Sequence, residues 1–403
     1  MPENYGDYQF EIYGRGALTG VLPNVSTDSR LLEEQAKKAL GARSFNYVAG
    51  GAGEKATMDS NRLAFRQWKL IPRMLKPMND QNLGVNLFGQ HYPTPLLMAP
   101  VGVQSIFHDD KETGLAEACG NVGIPYILST ASSSSIEEVA QANGDGKRWF
   151  QLYWPQDDDI TLSLLKRAKD NGFSVLVVTL DTWTLAWRPA DLDKAYIPFI
   201  RGVGNKLGFT DPVFRAKFEK ETGSTVEEDI VGASKSWISQ ISSGQPQAWE
   251  KVAFLRKNWD GPLVLKGIQH VDDAKIALEA GCDGIVVSNH GGRQVDGAIG
   301  SLEVLPEIVD AVGGKMTVLF DSGVRTGADI TKALCLGADA ILVGRPVIYG
   351  LAIDGKNGAE AVMKGLLADL WQTMSLSGIC TVAECNRDKI RKVVYPGDGK
   401  AML

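Results

Sequence analysis

The sequence predicts an α/β fold: a (β/α)8 TIM barrel with an N-terminal helical extension and a long lid loop after the fourth strand. Three observations predict it. Eight short runs are apolar throughout, as strands covered on both faces must be. A helix candidate follows each run, so the sheet is parallel and the count of eight closes it. The runs also end in polar residues, as expected where a barrel carries its site. A doubly wound open sheet is the competing reading, and the count of eight argues against it.

In order, the strands are TPLLMAP (94–100), PYILS (125–129), RWFQLYW (148–154) and SVLVVTLD (174–181), then PLVLKGI (262–268), DGIVVSNH (283–290), TVLFDSG (317–323) and AILVGRP (340–346). Between them SIEEVAQA, DDITLSLLKRAKDNG, VDDAKIALEAG and TGADITKALCLG read as helices, several starting on Ser, Thr or Asp and stopping on Gly. One gap breaks the rhythm. Residues 182–248 carry few strand signals, yet TDPVFRAKFEKETG has Asp211 as a cap and Pro212 at the first helical position. Long loops in compact domains are commonly lids, and this one leaves the fourth strand on the face where barrel sites form. Its aromatic residues favour a partly ordered lid. The chain 1–403 is therefore expected to be one domain. Residues 1–90 form a helical cover over the bottom and side of the barrel, 94–376 the barrel itself and 377–403 a tail.

Composition narrows the function. At 44% hydrophobic and 22% charged the chain is an ordinary globular one, and a net charge of -6 argues against nucleic acid or anionic membranes as partners. MPENYGDYQFEIYG has no basic region before an apolar stretch, and no run is long enough to span a bilayer, so a cytoplasmic location is expected. The C-terminal KAML departs from the peroxisomal tripeptide. Five scattered cysteines lack metal-ligand spacing; they read as reduced core residues, and no metal is expected.

The strand ends carry the chemistry. The third ends Gln151-Leu-Tyr153, the fourth Thr179-Leu-Asp181, the sixth Ser288-Asn-His290. Residues two apart on a strand face the same way. The fifth ends in Lys266, the seventh in Asp321, Gly323 and Arg325, the eighth in Gly344 and Arg345. Any one of these could be a satisfied core residue. Polar groups at nearly every strand end must instead satisfy one another or a ligand. DSGVRTGAD and VGRPV place amides and positive charge where barrels bind phosphate. With donors and acceptors for a flat heteroaromatic ring at Gln151, Thr179 and Lys266, a mononucleotide is indicated; no GxGxxG opens a helix after an early strand.

LKGI, SNHGGRQ, DSGVRTGAD and VGRP, with FQLYW and TLDT, resemble the FMN-dependent L-2-hydroxy-acid oxidase family, which includes glycolate oxidase, lactate oxidase and flavocytochrome b2. The resemblance covers nearly the whole chain. GDYQFEIYG, YVAGGAG, APVGV and DTWTLAWRPADL are most similar to its lactate 2-monooxygenase branch. It implies FMN as cofactor and His290 as the base, its other ring nitrogen held by Asp181. It implies that Arg293 and Arg188 clamp the substrate carboxylate and that Tyr47 and Tyr153 hydrogen-bond the substrate. Lys266 would offset charge on the reduced flavin. Pro100, Val101, Gly102, Ser129, Gln151, Thr179 and Ser288 would line the ring and ribityl chain. Asp321 would meet the ribityl hydroxyls, with Gly323, Arg325, Gly344 and Arg345 at the phosphate. Arg188 could instead be a solvated lid residue, and Gly102 could reflect tight backbone packing.

The implied reaction is oxidation of a small L-2-hydroxy acid by O2, with L-lactate suited to a pocket of Leu185, Ala131 and Gly102, though an open mouth would also admit longer or aromatic acids. Retention of keto acid and peroxide would yield acetate, CO2 and water. Gly102, lacking a methyl, and the 182–248 stretch both favour retention. Escape would yield pyruvate and H2O2, and a family dehydrogenase would use another acceptor. A type 2 isopentenyl-diphosphate isomerase lacks the SNHGGRQ pairing, and a flavin-storage protein would not need it. The family implies a homotetramer or octamer.

Overall fold

The computed structural model describes residues 4–395, so the KAML terminus lies outside them. In chain order, strand β1 (Trp68–Leu70) and the hairpin β2 (Val85–Leu87) and β3 (Gln90–Tyr92) precede eight parallel strands. These are β4 (Leu96–Met98), β5 (Tyr126–Ser129), β6 (Arg148–Leu152), β7 (Leu176–Thr179), β8 (Leu263–Ile268), β9 (Gly284–Val287), β10 (Thr317–Phe320) and β11 (Ala340–Val343). They close as a barrel in sequential order, with β11 paired to β4. The last strand, β12 (Ile390–Lys392), pairs antiparallel with β1 and straps the C-terminal segment to the N-terminal one. No helix among the described residues is long and apolar enough to cross a membrane.

Alternation sorts the strand residues into two cores. Leu97, Ile127, Trp149, Val177, Val264, Val286, Leu319 and Leu342 pack together inside the barrel, while their neighbours in sequence pack outward against the helices. Two positions further along, the same inward face carries Ala99, Ser129, Gln151, Thr179, Lys266, Ser288, Asp321 and Gly344. The interior is therefore apolar below and mainly polar at the mouth.

The N-terminal region differs from the helical cover that the sequence suggests. Its four helices, Asp7–Thr19, Ser29–Ala39, Ala42–Ala49 and Ala56–Gln67, are followed by the β2–β3 hairpin. That hairpin plugs the barrel floor: Leu87 and Tyr92 join the interior core, and the Tyr92 hydroxyl accepts from Trp149 Nε1 at 3.3 Å. Its turn residues Phe88 and Gly89 both have positive φ, 52° and 73°, as a type I′ turn requires. Phe-Gly is a weak turn signal, which is why pattern alone passes over it. The helix Ala42–Ala49, moreover, brings Tyr47 and Val48 to the mouth rather than to the bottom or side.

The stretch 182–248 folds around aromatic residues of its own. Its helices include Pro189–Leu192, Lys206–Phe209, Pro212–Thr222 and Ile230–Ile241. Asp211 caps the third as its spacing predicts, accepting from the amides of Val213 and Phe214 at 3.0 Å. Trp237, fully buried, meets Phe214 edge-on with centroids 5.2 Å apart. Replacing Trp237 by Ala removes that anchor, a loss of about 3–5 kcal/mol for a buried aromatic. Limited proteolysis of Trp237→Ala should then cut within 182–248 first and leave the barrel core intact. Cleavage unchanged from wild type would contradict this role.

Candidate active site

The chain leaves β9 through a turn built for one side chain. His290, Gly291 and Gly292 all have positive φ, 57°, 66° and 74°. For histidine that conformation costs about 1–2 kcal/mol, so the fold must hold it in place. Side chains do so. The amides of His290, Gly291 and Gly292 donate to Ser288 Oγ, Ser322 Oγ and Asn289 Oδ1 at 3.1, 3.0 and 3.0 Å. Asn289 exchanges two side-chain hydrogen bonds with buried Asn61, at 2.9 and 2.7 Å.

The turn aims the imidazole at the end of β7. His290 Nδ1 lies 2.9 Å from Asp181 Oδ1, and the Thr182 hydroxyl lies 3.0 Å from both atoms. Nδ1 beside a carboxylate carries the proton, which leaves Nε2 as a free acceptor. Burial disfavours the Asp181 anion, but the charges of His290 and Lys266 outweigh it and hold the carboxyl down at about 2. Burial also lowers the His290 pKa; Asp181 raises it but is outweighed, with Lys266 and Arg188 adding to the depression. A neutral imidazole at pH 7 follows. Between the two strands runs β8, where Gly267 has φ 105° and a Cβ would stand 2.9 Å from Asp181 Cβ. That glycine makes room for the carboxylate.

Two arginines flank the histidine. Arg293 Nη1 donates to the carbonyls of Tyr47 and Gly50 at 2.5 and 3.1 Å, and its guanidinium lies 5.0 Å from the Tyr47 ring centroid. Arg188 is buried, not a solvated lid residue, and its Nε donates to the Arg293 carbonyl at 3.0 Å. Burial and the charge of Arg293 lower its pKa to about 10. Burial and the charge of Asp181 push the Tyr153 phenol up, so it remains a donor. Tyr47, Tyr153, Arg188, His290 and Arg293 line one cavity, with an empty volume of about 1310 Å³ including its open mouth.

The same cavity continues over the barrel mouth, past Pro100, Val101, Gly102, Lys266 and Asp321, to Gly323, Arg325, Gly344 and Arg345. Beneath it, Gln151 accepts from the Thr130 amide and donates to Thr179 Oγ1, both at 3.0 Å; Ser129 Oγ accepts from the Ala131 amide at 3.2 Å. Lys266 donates to Ser288 Oγ at 3.0 Å and lies 3.3 Å from Asp321. Although burial disfavours its ammonium, Asp321 and Asp181 raise its pKa overall, so it is a charged group at the cavity floor.

At the far end Arg325 is partly buried, donates to the Val324 carbonyl at 2.9 Å, and has its pKa lowered by burial. The helical segment Arg345–Ser377, kinked at Asp354 and Gly355, starts there. Pro346 has no N–H and the amides of Val347 and Ile348 donate to the Gly344 carbonyl, which leaves the Arg345 amide without a partner inside the helix. A flat ring over Lys266 with an anionic tail toward Arg325 fits this donor set.

Two expectations need correction. The space gained at Gly102 is already filled: a Cβ there would stand 2.5 Å from the Ala131 carbonyl oxygen and 2.8 Å from its Cβ. Gly102 lines the cavity, but tight backbone packing explains it. Arg345 also lines the cavity, yet its guanidinium donates to the carbonyls of Val48, Gly50 and Gly291, each at 2.9 Å. Its side chain ties the N-terminal segment to the β9 turn. The five cysteines are all free, but Cys380 and Cys385 are only partly buried. Sequence reasoning missed Thr182 and Ser322. Thr182 follows Asp181 directly, a signal available in TLDT; Ser322 in DSG offered none.

The chain matches the FMN-dependent dehydrogenase family over residues 36–392. It is 65% identical to the FMN-dependent alpha-hydroxy acid dehydrogenase qulF of Penicillium citrinum over 402 residues, 100% of both chains. It is 40% identical to an L-lactate oxidase of Lysinibacillus sphaericus, covering 87% of this chain and 89% of the relative. For the 2-hydroxyacid oxidase 1 of Homo sapiens the identity is 36%, covering 89% and 95%. Among solved structures, mandelate oxidase with (S)-4-hydroxymandelic acid superposes with a TM-score of 0.80 at 36% identity, covering 92% of this chain and 100% of that one.

The electrostatics give a titration test. With four histidines in the chain, an NMR titration of labelled His can follow each, and His290 should have its midpoint below 6.5. Asp181→Asn removes the one charge that raises it, so the midpoint should fall further. A rise on that substitution would contradict the assigned pairing.

Proposed function

The chain belongs to the FMN-dependent dehydrogenase family, and from that premise we propose that it oxidises a small L-2-hydroxy acid with O2 as electron acceptor. FMN is the cofactor and an α-hydroxy acid the class of substrate. The observation that carries the hydroxy-acid chemistry is the partly buried His290–Asp181 pair, 2.9 Å apart, in a cavity that two arginines share.

In this reading Lys266, Ser129, Gln151, Thr179 and Ser288 would hold the ring of FMN. Asp321 would meet the ribityl chain, and Gly323, Arg325, Gly344 and the Arg345 amide would hold the phosphate. Bound FMN supplies the two-electron acceptor. His290 takes a proton at Nε2, because Nδ1 is held by Asp181. The resulting imidazolium is stabilised by the adjacent carboxylate, whose low pKa keeps it ionised. Arg293 has Nη1 engaged by carbonyls, which leaves Nε and Nη2 for a carboxylate. Arg188 adds a second cation, and the phenols of Tyr47 and Tyr153 donate to the remaining substrate oxygens. A 2-hydroxy acid needs this set: an anion clamp, a base and phenolic donors around one carbon.

Retention of the keto acid under the 182–248 stretch is the further part of the proposal. Leu185, Arg188, Phe199, Ile238, Ile241 and Ser242 all come from that stretch and line the cavity, so closure of the stretch would slow product release. L-Lactate would then give acetate, CO2 and water by peroxide attack on the retained keto acid, as in a lactate 2-monooxygenase. The apolar wall of Phe107, Phe199, Ile238 and Ile241 favours a second reading, a bulkier or aromatic side chain. The likeness to a mandelate oxidase supports it. A homotetramer completes the proposal, because Phe10, Tyr13 and Leu18 stand exposed on a helix with no buried residue. A cytoplasmic location belongs to the same reading.

Product analysis after aerobic incubation with L-lactate, and separately with L-mandelate, tests it. Acetate and CO2 from lactate, with little free peroxide, are expected. Pyruvate with one H2O2 per lactate would overturn retention, and oxidation without O2 uptake would overturn the choice of acceptor. A far higher kcat/KM for mandelate would select the second reading.

A further inference from the structure

Gln294 ends the SNHGGRQ motif and has no part in the chemistry above, yet both ends of its side-chain amide are engaged. Nε2 donates to the main-chain carbonyls of Asp181 and Thr184, at 2.6 and 2.9 Å, and Oε1 accepts from Arg188 Nη2 at 2.7 Å. Both donated hydrogens and the acceptor thus go to one short segment, the first residues after β7. Arg188 is held from two sides, because its Nε also donates to the Arg293 carbonyl next door. A long side chain on a loop otherwise samples many rotamers, and ordering it at the moment of binding weakens affinity.

We propose that Gln294 is a positioning residue that fastens the root of the 182–248 lid to the β9 turn and presets Arg188 for the substrate carboxylate. The two contacts divide the work. Acceptance from Arg188 directs the guanidinium and repels no cation. Donation to the carbonyls of Asp181 and Thr184 fixes the chain from which the Asp181 carboxylate reaches His290. Glutamate in its place would still accept from Arg188 but could donate to neither carbonyl; alanine would do neither. Gln294 itself touches no reacting atom. Trp183 and Trp187, within the fastened segment, are exposed, so loosening of that segment is open to a protease.

This rests on the proposed hydroxy-acid oxidation, but one of its arms does not need turnover. With FMN-loaded enzyme and the better of L-lactate and L-mandelate, Gln294→Ala should raise KM about tenfold, the scale of one charge-assisted hydrogen bond, with a smaller fall in kcat. In an Arg188→Lys background the same change should raise KM by less than about twofold, because the two residues act through one contact. Gln294→Glu should keep KM within about threefold of wild type. Both Gln294 variants should speed chymotryptic cleavage after Trp183 or Trp187.

An unchanged KM in Gln294→Ala, or an equal rise in both backgrounds, overturns the proposal. If the alanine variant does not retain FMN, Gln294→Glu decides: faster cleavage with KM kept supports the role, and wild-type cleavage or a tenfold rise in KM overturns it. A wild type that oxidises neither acid contradicts the functional reading instead, and the cleavage assay still tests Gln294.

Discussion

The hydrogen bond between His290 Nδ1 and Asp181 Oδ1 joins the ends of two barrel strands that are not neighbours, and much of the site is arranged so that it can form. Asp181 leaves β7 and must reach across β8 to a histidine beyond β9. A side chain on Gly267 of β8 would block that path. From the other side, His290 reaches the carboxylate only because three successive residues take the left-handed conformation. Asn61, Ser288, Asn289 and Ser322 supply the hydrogen bonds that hold this turn. A strained base held by so many partners is preorganised, since little must reorder when substrate arrives.

Around this pair the charge distribution runs against that of the whole chain. The net charge is -6, yet Lys266, Arg188, Arg293, Arg325 and Arg345 converge on one cavity. Burial depresses the pKa of Arg188 to about 10 and of Arg345 to about 9, each with neighbouring arginines adding to the effect. Such enclosed cations are stabilised by an anion, so a phosphate at one end and a carboxylate at the other should each stabilise the folded chain. The two ends suit the two anions differently. The Arg325 end offers a guanidinium beside the Arg345 amide at a helix start, which suits a phosphate. The Arg293 end offers a planar fork beside phenols, which suits a carboxylate.

Much of this was legible because barrel strands obey a period of two. Trp149 below and Gln151 above share the inward face of β6, as Val264 and Lys266 share that of β8, so polar strand ends mark the mouth directly. What the sequence hid depends on contacts between distant segments. Tyr47 reaches the site from the helix Ala42–Ala49 through the Arg293–carbonyl contacts, and pattern alone does not indicate that approach; the family resemblance did. Gly102 looked like added room, but Ala131 of the next loop fills the space. Arg345 looked like a phosphate ligand, and three carbonyls on two other segments claim its guanidinium. In each case the residue type was legible and its partner was not.

The central claim is that His290, held by Asp181, is the base of the reaction. Anaerobic stopped-flow mixing of FMN-loaded His290→Ala with L-lactate or L-mandelate tests it most directly, because it isolates flavin reduction from everything that oxygen does later. FMN should remain bound, since the floor and phosphate contacts are untouched, while the rate of flavin bleaching should fall about a thousandfold or more, the scale of a lost general base. A variant that bleached its flavin at near wild-type rate would contradict the claim.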